Sequence, residues 1–166
     1  MKKNILRIVF LILIIINSLI IFGFSSQNGE ESGNLSKSII TKIADILNIE
    51  DNRKNFIDVG EKVIRKLAHF GIYTLLGIWS IGFLLTFNIK LKYQVVITSI
   101  WGCIYALTDE FHQSFSFGRH ASINDVVIDT LGVIFGLLLV LLVLKIKEKI
   151  KKASPMSNKK STLKNI

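Results

Sequence analysis

Many of the side chains that could do chemistry lie in one stretch of the sequence, from Ala106 to Asp129. The apolar runs on either side of it are each long enough to cross a bilayer. An ionisable side chain at bilayer depth costs about 2.5 to 3.5 kcal/mol on insertion scales, so a cluster of such groups requires partners, water or a functional reason. We therefore predict a functional site built from this stretch, which contains Asp109, Glu110, His112, Gln113, Arg119, Asp125 and Asp129.

Helical spacing brings some of these groups together. Asp109, His112 and Gln113 are three and four residues apart, so they project from neighbouring positions of one helix. A carboxylate beside an imidazole suits general acid–base chemistry, and Asp109 is predicted to orient His112. Upstream, Arg65, His69 and Tyr73 are spaced by four and share another helix face.

The depth of each group follows from the helical rise of about 1.5 Å per residue. This rise places Tyr73, Asp109 and Asp129 in one layer about 8 Å below the outer edge of a hydrocarbon core about 30 Å thick. We predict a pocket here. The acid–base residues would be Asp109, His112, Asp129 and His69. The residues binding an anionic substrate would be Arg65, Lys66, Tyr73, Glu110, Gln113, Arg119 and Asp125.

Two other interpretations of the polar cluster stay open. The charged groups could form a paired plug that pins helices together, because ion-pair networks occur without catalysis. A metal site is the other, with His69, His112, Asp109, Glu110 and Asp129 as plausible ligands. The sequence has no HExxH or CxxC spacing. The prediction is therefore a site with no metal and no other cofactor.

Half of the residues are hydrophobic, and the apolar ones are grouped in blocks. This pattern predicts an all-α membrane protein with four transmembrane helices, at roughly 5–24, 67–87, 94–112 and 125–146. The predicted parts are a first span (1–24), an extracytoplasmic connection with short amphipathic helices (25–66), a three-helix part (67–146) and a basic tail (147–166). Residues 1–24 also resemble a long signal peptide, and we favour a retained span.

The connection at 25–66 contains two helical patterns. Apolar residues recur at helical spacing in the first, which is predicted to lie in the outer membrane interface: Leu35, Ile39, Ile43, Ile46 and Leu47. A second helix is predicted to start near Asp51 or Asn52, either of which can cap it. Beyond Pro155 the tail is predicted to be disordered.

The net charge of +9 is unevenly distributed. If four spans cross the membrane, thirteen basic residues and one acid share one side, against eight basic residues and eleven acids on the other. The basic excess indicates the cytoplasmic side, so both termini are predicted inside and the site outside, in the cell membrane. Basic residues without base-reading or aromatic partners argue against nucleic-acid binding. The single cysteine, Cys103, is predicted to be a packing residue.

At these positions the chain resembles the VanZ-like family of membrane proteins. The resemblance covers about residues 5–146, and it departs from the family at Phe117, where a proline is usual. Its motifs are Ser25-Ser26-Gln27, Arg65-Lys66-Leu67-Ala68-His69-Phe70 with Tyr73 and Gly77, Asp109-Glu110-Phe111-His112-Gln113 with Phe115, and Gly118-Arg119 with Ser122, Asp125, Asp129 and Gly132.

The resemblance implies a small helical integral membrane protein, and the family's namesake is associated with low-level teicoplanin resistance. The leading hypothesis is an envelope protein whose outward pocket binds or modifies an anionic membrane lipid or lipid-linked cell-wall precursor. The alternative is a non-enzymatic docking module. In that case the polar cluster is structural, and the Gly132–Gly136 seam or the outer helices meet another protein.

Overall fold

Five α-helices make up the structure, a computed structural model that describes residues 2–27, 29–116 and 121–162. They are α1 (Lys2–Ser25), α2 (Gly29–Ile46), α3 (Arg53–Leu84), α4 (Leu91–Gln113) and α5 (Ile123–Thr162). These ranges contain no strand, so the predicted all-α class is confirmed.

In the described part of the chain, three helices are long and apolar enough to cross a membrane: Lys3–Ser25, Arg53–Leu84 and Ile123–Lys152. The 23 residues of α4 extend about 35 Å, which is also sufficient length. Its most apolar stretch of 18 residues is more polar than the corresponding stretch of each of the other three. Spanning by α4, and with it the four-span topology, therefore stays a prediction.

The polar residues of α4 face the other helices. Gln94, Thr98, Gly102 and Ala106 recur at intervals of four and are buried, and the stripe continues to Asp109. At the start of the helix, the Gln94 amide Nε2 donates hydrogen bonds of 2.9 and 3.0 Å to the carbonyl oxygens of residues 84 and 89. The lower hydropathy of α4 thus comes from side chains used inside the protein.

Helix α3 is central, since it packs against all four other helices. It is continuous over 32 residues, about 48 Å, which exceeds the hydrocarbon thickness by several turns. The helix predicted to start near residue 51 or 52 and the apolar segment predicted from residue 67 thus form one helix, and the start of the span at residue 67 stays a prediction. Asn52 precedes the helix in a left-handed conformation (φ 53°) without a side-chain capping bond, so its predicted capping role is wrong.

The first connection contains one separate helix, α2. Its buried positions Gly33, Ser36, Ile40 and Ala44 recur every three or four residues, and the Ile40 side chain lies over Gly60 of α3. The apolar residues predicted to face the membrane are exposed on α2 or just after it. Their location in the outer interface stays a prediction.

Helix α5 is longer than predicted at its carboxyl end. It continues through Pro155 to Thr162, so the backbone predicted to be disordered is helical over most of its length. Within this extension, Lys152 and Glu148 form an exposed ion pair one turn apart.

Candidate functional site

The ends of the helices alternate in direction. Ser116 Oγ donates a 3.1 Å hydrogen bond to the Ser25 carbonyl oxygen, which joins the carboxyl ends of α1 and α4. At the other end of the bundle, Arg7 Nη2 donates to the carbonyl oxygen of Thr86, at 3.2 Å. Helices α1, α3, α4 and α5 therefore alternate in direction, and the candidate residues lie at the Ser25 end.

A seam of glycines brings α3 and α5 into backbone contact below these residues. A Cβ added at Gly77 would lie 2.2 Å from the Val133 carbonyl oxygen, and one at Gly136 would lie 2.1 Å from that of Thr74. The seam on α5 is therefore filled by α3 of the same chain. The hypothesis that Gly132 and Gly136 dock another protein is wrong, because their surface is already covered.

Asp109 is held by two donors. Tyr73 Oη donates a 2.9 Å hydrogen bond to Asp109 Oδ2, and the Gln113 amide donates to the same oxygen at 3.1 Å. The Gln113 amide also reaches Ser25 Oγ, at 3.4 Å. This buried chain of contacts links α1, α3 and α4, and it fixes the direction of the Asp109 carboxylate.

Asp129 has a different environment. It is 1% exposed, and neither of its carboxylate oxygens has a hydrogen-bond partner among the described residues. His69 Nδ1 is 3.6 Å from Asp129 Oδ2, an ion-pair distance that is too long for a hydrogen bond. His69, Asp109 and Asp129 each present one ligand-type atom, and these three atoms all lie within 4.8 Å of one another. This trio, the acid–histidine cluster, is the part of the site that could hold a cation.

The remaining acids lie toward the start of α5. Glu110 Oε1 accepts a 2.7 Å hydrogen bond from the backbone N–H of Ser122, just before the helix begins. Lys66 Nζ lies 2.9 Å from Asp125 Oδ1, an ion pair whose angles fall outside those of a hydrogen bond. Since both side chains are more than a third exposed, the pair contributes little to stability. Glu110 and Lys66 are thus occupied by contacts within the chain.

His112 points away from the cluster. Its ring stacks on Phe22 of α1 with 4.3 Å between ring centroids, and its buried Nδ1 has no hydrogen-bond partner among the described residues. Among the described residues, the donors to Asp109 are Tyr73 and Gln113. The predicted orientation of His112 by Asp109 is therefore wrong.

A cavity of about 120 Å³ opens between α1, α2 and α3 beside the cluster. Its walls are mostly apolar and include Ile21, Phe24, Leu35 and Ile72. Its polar lining comes from Gln27, Ser36, Arg65 and His69. His69 therefore belongs both to the cavity wall and to the acid–histidine cluster.

The family model for VanZ/LLP1 matches residues 8–144. The chain belongs to the VanZ/LLP1 family. Together with the apolar helices, this membership identifies a membrane protein from a family linked to glycopeptide resistance. A search of curated proteins and one of solved structures found no match.

Within this VanZ/LLP1 protein, the structure gathers five of the predicted residues: His69, Tyr73, Asp109, Gln113 and Asp129. Arg65 lies on the cavity wall next to them. Arg119 and Phe117 lie outside the described residues. The catalytic and binding roles assigned to all of these residues stay predictions.

Sequence reasoning missed several contributors. Ser25 is predicted only as part of the family motif Ser25-Ser26-Gln27, yet its hydroxyl and carbonyl oxygens accept hydrogen bonds from α4 and the turn after it. Gln27 and Ser36 line the cavity. The regular spacing of Gly33, Ser36, Ile40 and Ala44 is the signal that could have identified the packed face of α2.

Proposed function

We propose that this protein binds an anionic lipid or a lipid-linked cell-wall precursor at the extracytoplasmic end of its helices. Four spans with both termini in the cytoplasm are part of the proposal. The contacts at the two ends of the bundle support it, because α4 begins beside the end of α3 and ends beside Ser25. A helix of that extent and placement crosses the same layer as its neighbours, and the basic excess at the Arg7 end matches the cytoplasmic side.

The observation that carries the proposal is the composition of the cavity. Apolar walls with one arginine suit an amphiphile whose anionic group pairs with a guanidinium while its chain contacts hydrocarbon. At about 120 Å³ the cavity holds a headgroup or a short chain segment, whereas drug-sized ligands occupy about 300 Å³ or more. The rest of a lipid would lie along the exposed apolar surface of α1 and α2.

The site offers few free cationic groups for an anion. Lys66 pairs with Asp125, whereas Arg65 has no ion pair or hydrogen bond among the described residues. Among the described residues, Arg65 is therefore the side chain on which anion binding would depend. Acid–base work on the bound molecule would fall to His69 and Asp129, since His112 faces Phe22.

Lipid binding is tested by native mass spectrometry of the protein purified in a mild detergent, with added phosphatidylglycerol as the probe. We expect bound phosphatidylglycerol on the wild type and a several-fold loss on Arg65→Gln. Arg53→Gln, the same change on the same helix, is the matched control, because Arg53 pairs with Asp45 away from the cavity. Equal binding by both variants would show that the cavity does not hold the lipid.

Teicoplanin tolerance provides the cellular test. We expect expression of the wild type in a sensitive host to raise tolerance, and Arg65→Gln and Asp129→Asn to reduce the gain at equal membrane levels. If both variants raise tolerance as much as the wild type does, teicoplanin tolerance does not depend on this site.

A second candidate function is a non-enzymatic module in which the polar groups are structural. The hydrogen-bonded chain from Tyr73 through Asp109 and Gln113 to Ser25 favours it, since the chain joins three helices. The stability effects of Asp109→Asn and Asp129→Asn separate the two functions.

A further inference from the structure

With both of its aspartates ionised, the acid–histidine cluster contains more negative charge than its own groups can balance. Asp129 is almost wholly buried and without a hydrogen bond among the described residues, and Asp109 is 6% exposed. One imidazole balances at most one of the two carboxylates. Burial of an unbalanced carboxylate is unfavourable, so such a group is protonated, paired with a base or bound to a cation.

We propose that His69, Asp109 and Asp129 bind a divalent transition-metal cation. Atoms bound tetrahedrally at about 2.1 Å from a common ion lie about 3.4 Å apart. The His69 Nδ1 to Asp129 Oδ2 distance of 3.6 Å is close to that value. The three ligand atoms lie within 4.8 Å of one another, so closing around an ion requires side-chain movements of about 1 Å.

The ligand types indicate the class of metal. One imidazole nitrogen and two carboxylate oxygens suit Zn²⁺, Mn²⁺ or Fe²⁺, and the absence of a sulfur ligand in the cluster disfavours Cu⁺. Asp109 has the outer support that metal ligands usually require, because Tyr73 and Gln113 donate hydrogen bonds to it. These donors orient the carboxylate before an ion arrives.

The ion has a route to the site. The His69 side chain is 20% exposed and lines the cavity, so a cation entering there meets the imidazole first. An anionic group held by Arg65 would lie on the same cavity wall, where the cation could bind one of its oxygens. Binding of the cation to an oxygen of the anionic group rests on the proposed lipid binding, whereas binding of the metal to the protein does not.

Metal content provides the test. The detergent-purified protein is stripped with EDTA, reloaded separately with Zn²⁺ and Mn²⁺, desalted and analysed by mass spectrometry of its elements. We expect about one ion per chain on the wild type, and at least about tenfold weaker binding on Asp129→Asn and His69→Gln. Asp58→Asn, an exposed acid on α3, is the control and should bind like the wild type.

A second readout uses Co²⁺, whose visible absorption reports nitrogen and oxygen coordination. The wild type should develop this absorption, and His69→Gln should not. Because this comparison does not use Asp129→Asn, it still tests the inference if that variant does not fold. A wild type that retains no metal after reloading overturns the inference, as does full occupancy of both variants. If phosphatidylglycerol still binds in an Arg65-dependent way in either case, the metal inference alone has failed.

Discussion

Tyr73 and Asp109 form a 2.9 Å hydrogen bond between α3 and α4, in a part of the bundle where Tyr73 is fully buried and Asp109 nearly so. This bond distinguishes the two buried aspartates. Asp109 accepts hydrogen bonds from two donors, whereas Asp129 accepts none among the described residues and faces His69. We interpret the first carboxylate as positioned by the fold and the second as the group available to a ligand.

Replacing Tyr73 by phenylalanine tests the positioning of Asp109. The substitution removes one of the two donors to a buried carboxylate, so we expect the free energy of unfolding to fall by about 1–3 kcal/mol. Chemical unfolding in detergent, followed by circular dichroism, measures it. Tyr93→Phe is the control, because Tyr93 is exposed and should change stability by less than about 0.5 kcal/mol. Equal effects of the two substitutions would contradict the role of this hydrogen bond.

Two glycines six residues apart on α3 should respond oppositely to alanine. A Cβ at Gly77 would overlap the Val133 carbonyl oxygen, so Gly77→Ala should lower stability by about 1–3 kcal/mol or more. At Gly71 nothing lies within 4 Å of the added Cβ, and alanine there should raise stability by up to about 1 kcal/mol through its helix preference. Melting temperatures in one detergent compare them directly, and a stable Gly77→Ala protein would rule out the close α3–α5 contact.

Substitution of the two aspartates separates a functional from a structural cluster. Asp129→Asn replaces a buried carboxyl that has no hydrogen bond among the described residues, so we expect stability within about 1 kcal/mol of the wild type, together with loss of teicoplanin tolerance. The structural account instead requires a loss of about 3–5 kcal/mol, as when one partner of a buried ion pair is removed. Asp109→Asn should lower the free energy of unfolding by about 1–2 kcal/mol. The loss is small because the asparagine oxygen can still accept hydrogen bonds from Tyr73 and Gln113, though without the negative charge.

The common depth of the site residues could be predicted from the sequence. Helical rise alone places Tyr73, Asp109 and Asp129 in one layer, and the structure joins the first two by a hydrogen bond and brings the third close to Asp109. Rise along an axis depends little on neighbouring helices. Depth is therefore the part of the site that spacing determines best.

Rotation about each helix axis could not be predicted in the same way. At about 100° per residue, Gln113 lies about 40° from Asp109 on one side, and His112 about 60° on the other. By spacing alone, either His112 or Gln113 could contact Asp109. The position of α1 determines which one does, because Phe22 stacks on His112 and Gln113 is left beside Asp109. The full length of α3 could not be predicted from hydropathy for a related reason, since packing of α2 against it stabilises turns that lie outside the apolar segment.

The membrane topology can be tested with single cysteines in a Cys103→Ser background. The three exposed positions are Asp51 before α3, Asn88 in the turn before α4, and Asn124 at the start of α5. If α4 crosses the membrane, a membrane-impermeant maleimide should label Asp51→Cys and Asn124→Cys in intact cells, and Asn88→Cys only after permeabilisation. Labelling of Asn124→Cys only after permeabilisation would mean that α4 does not cross. The start of α5, and Asp125 with it, would then lie on the cytoplasmic side, where no extracytoplasmic lipid could reach the site.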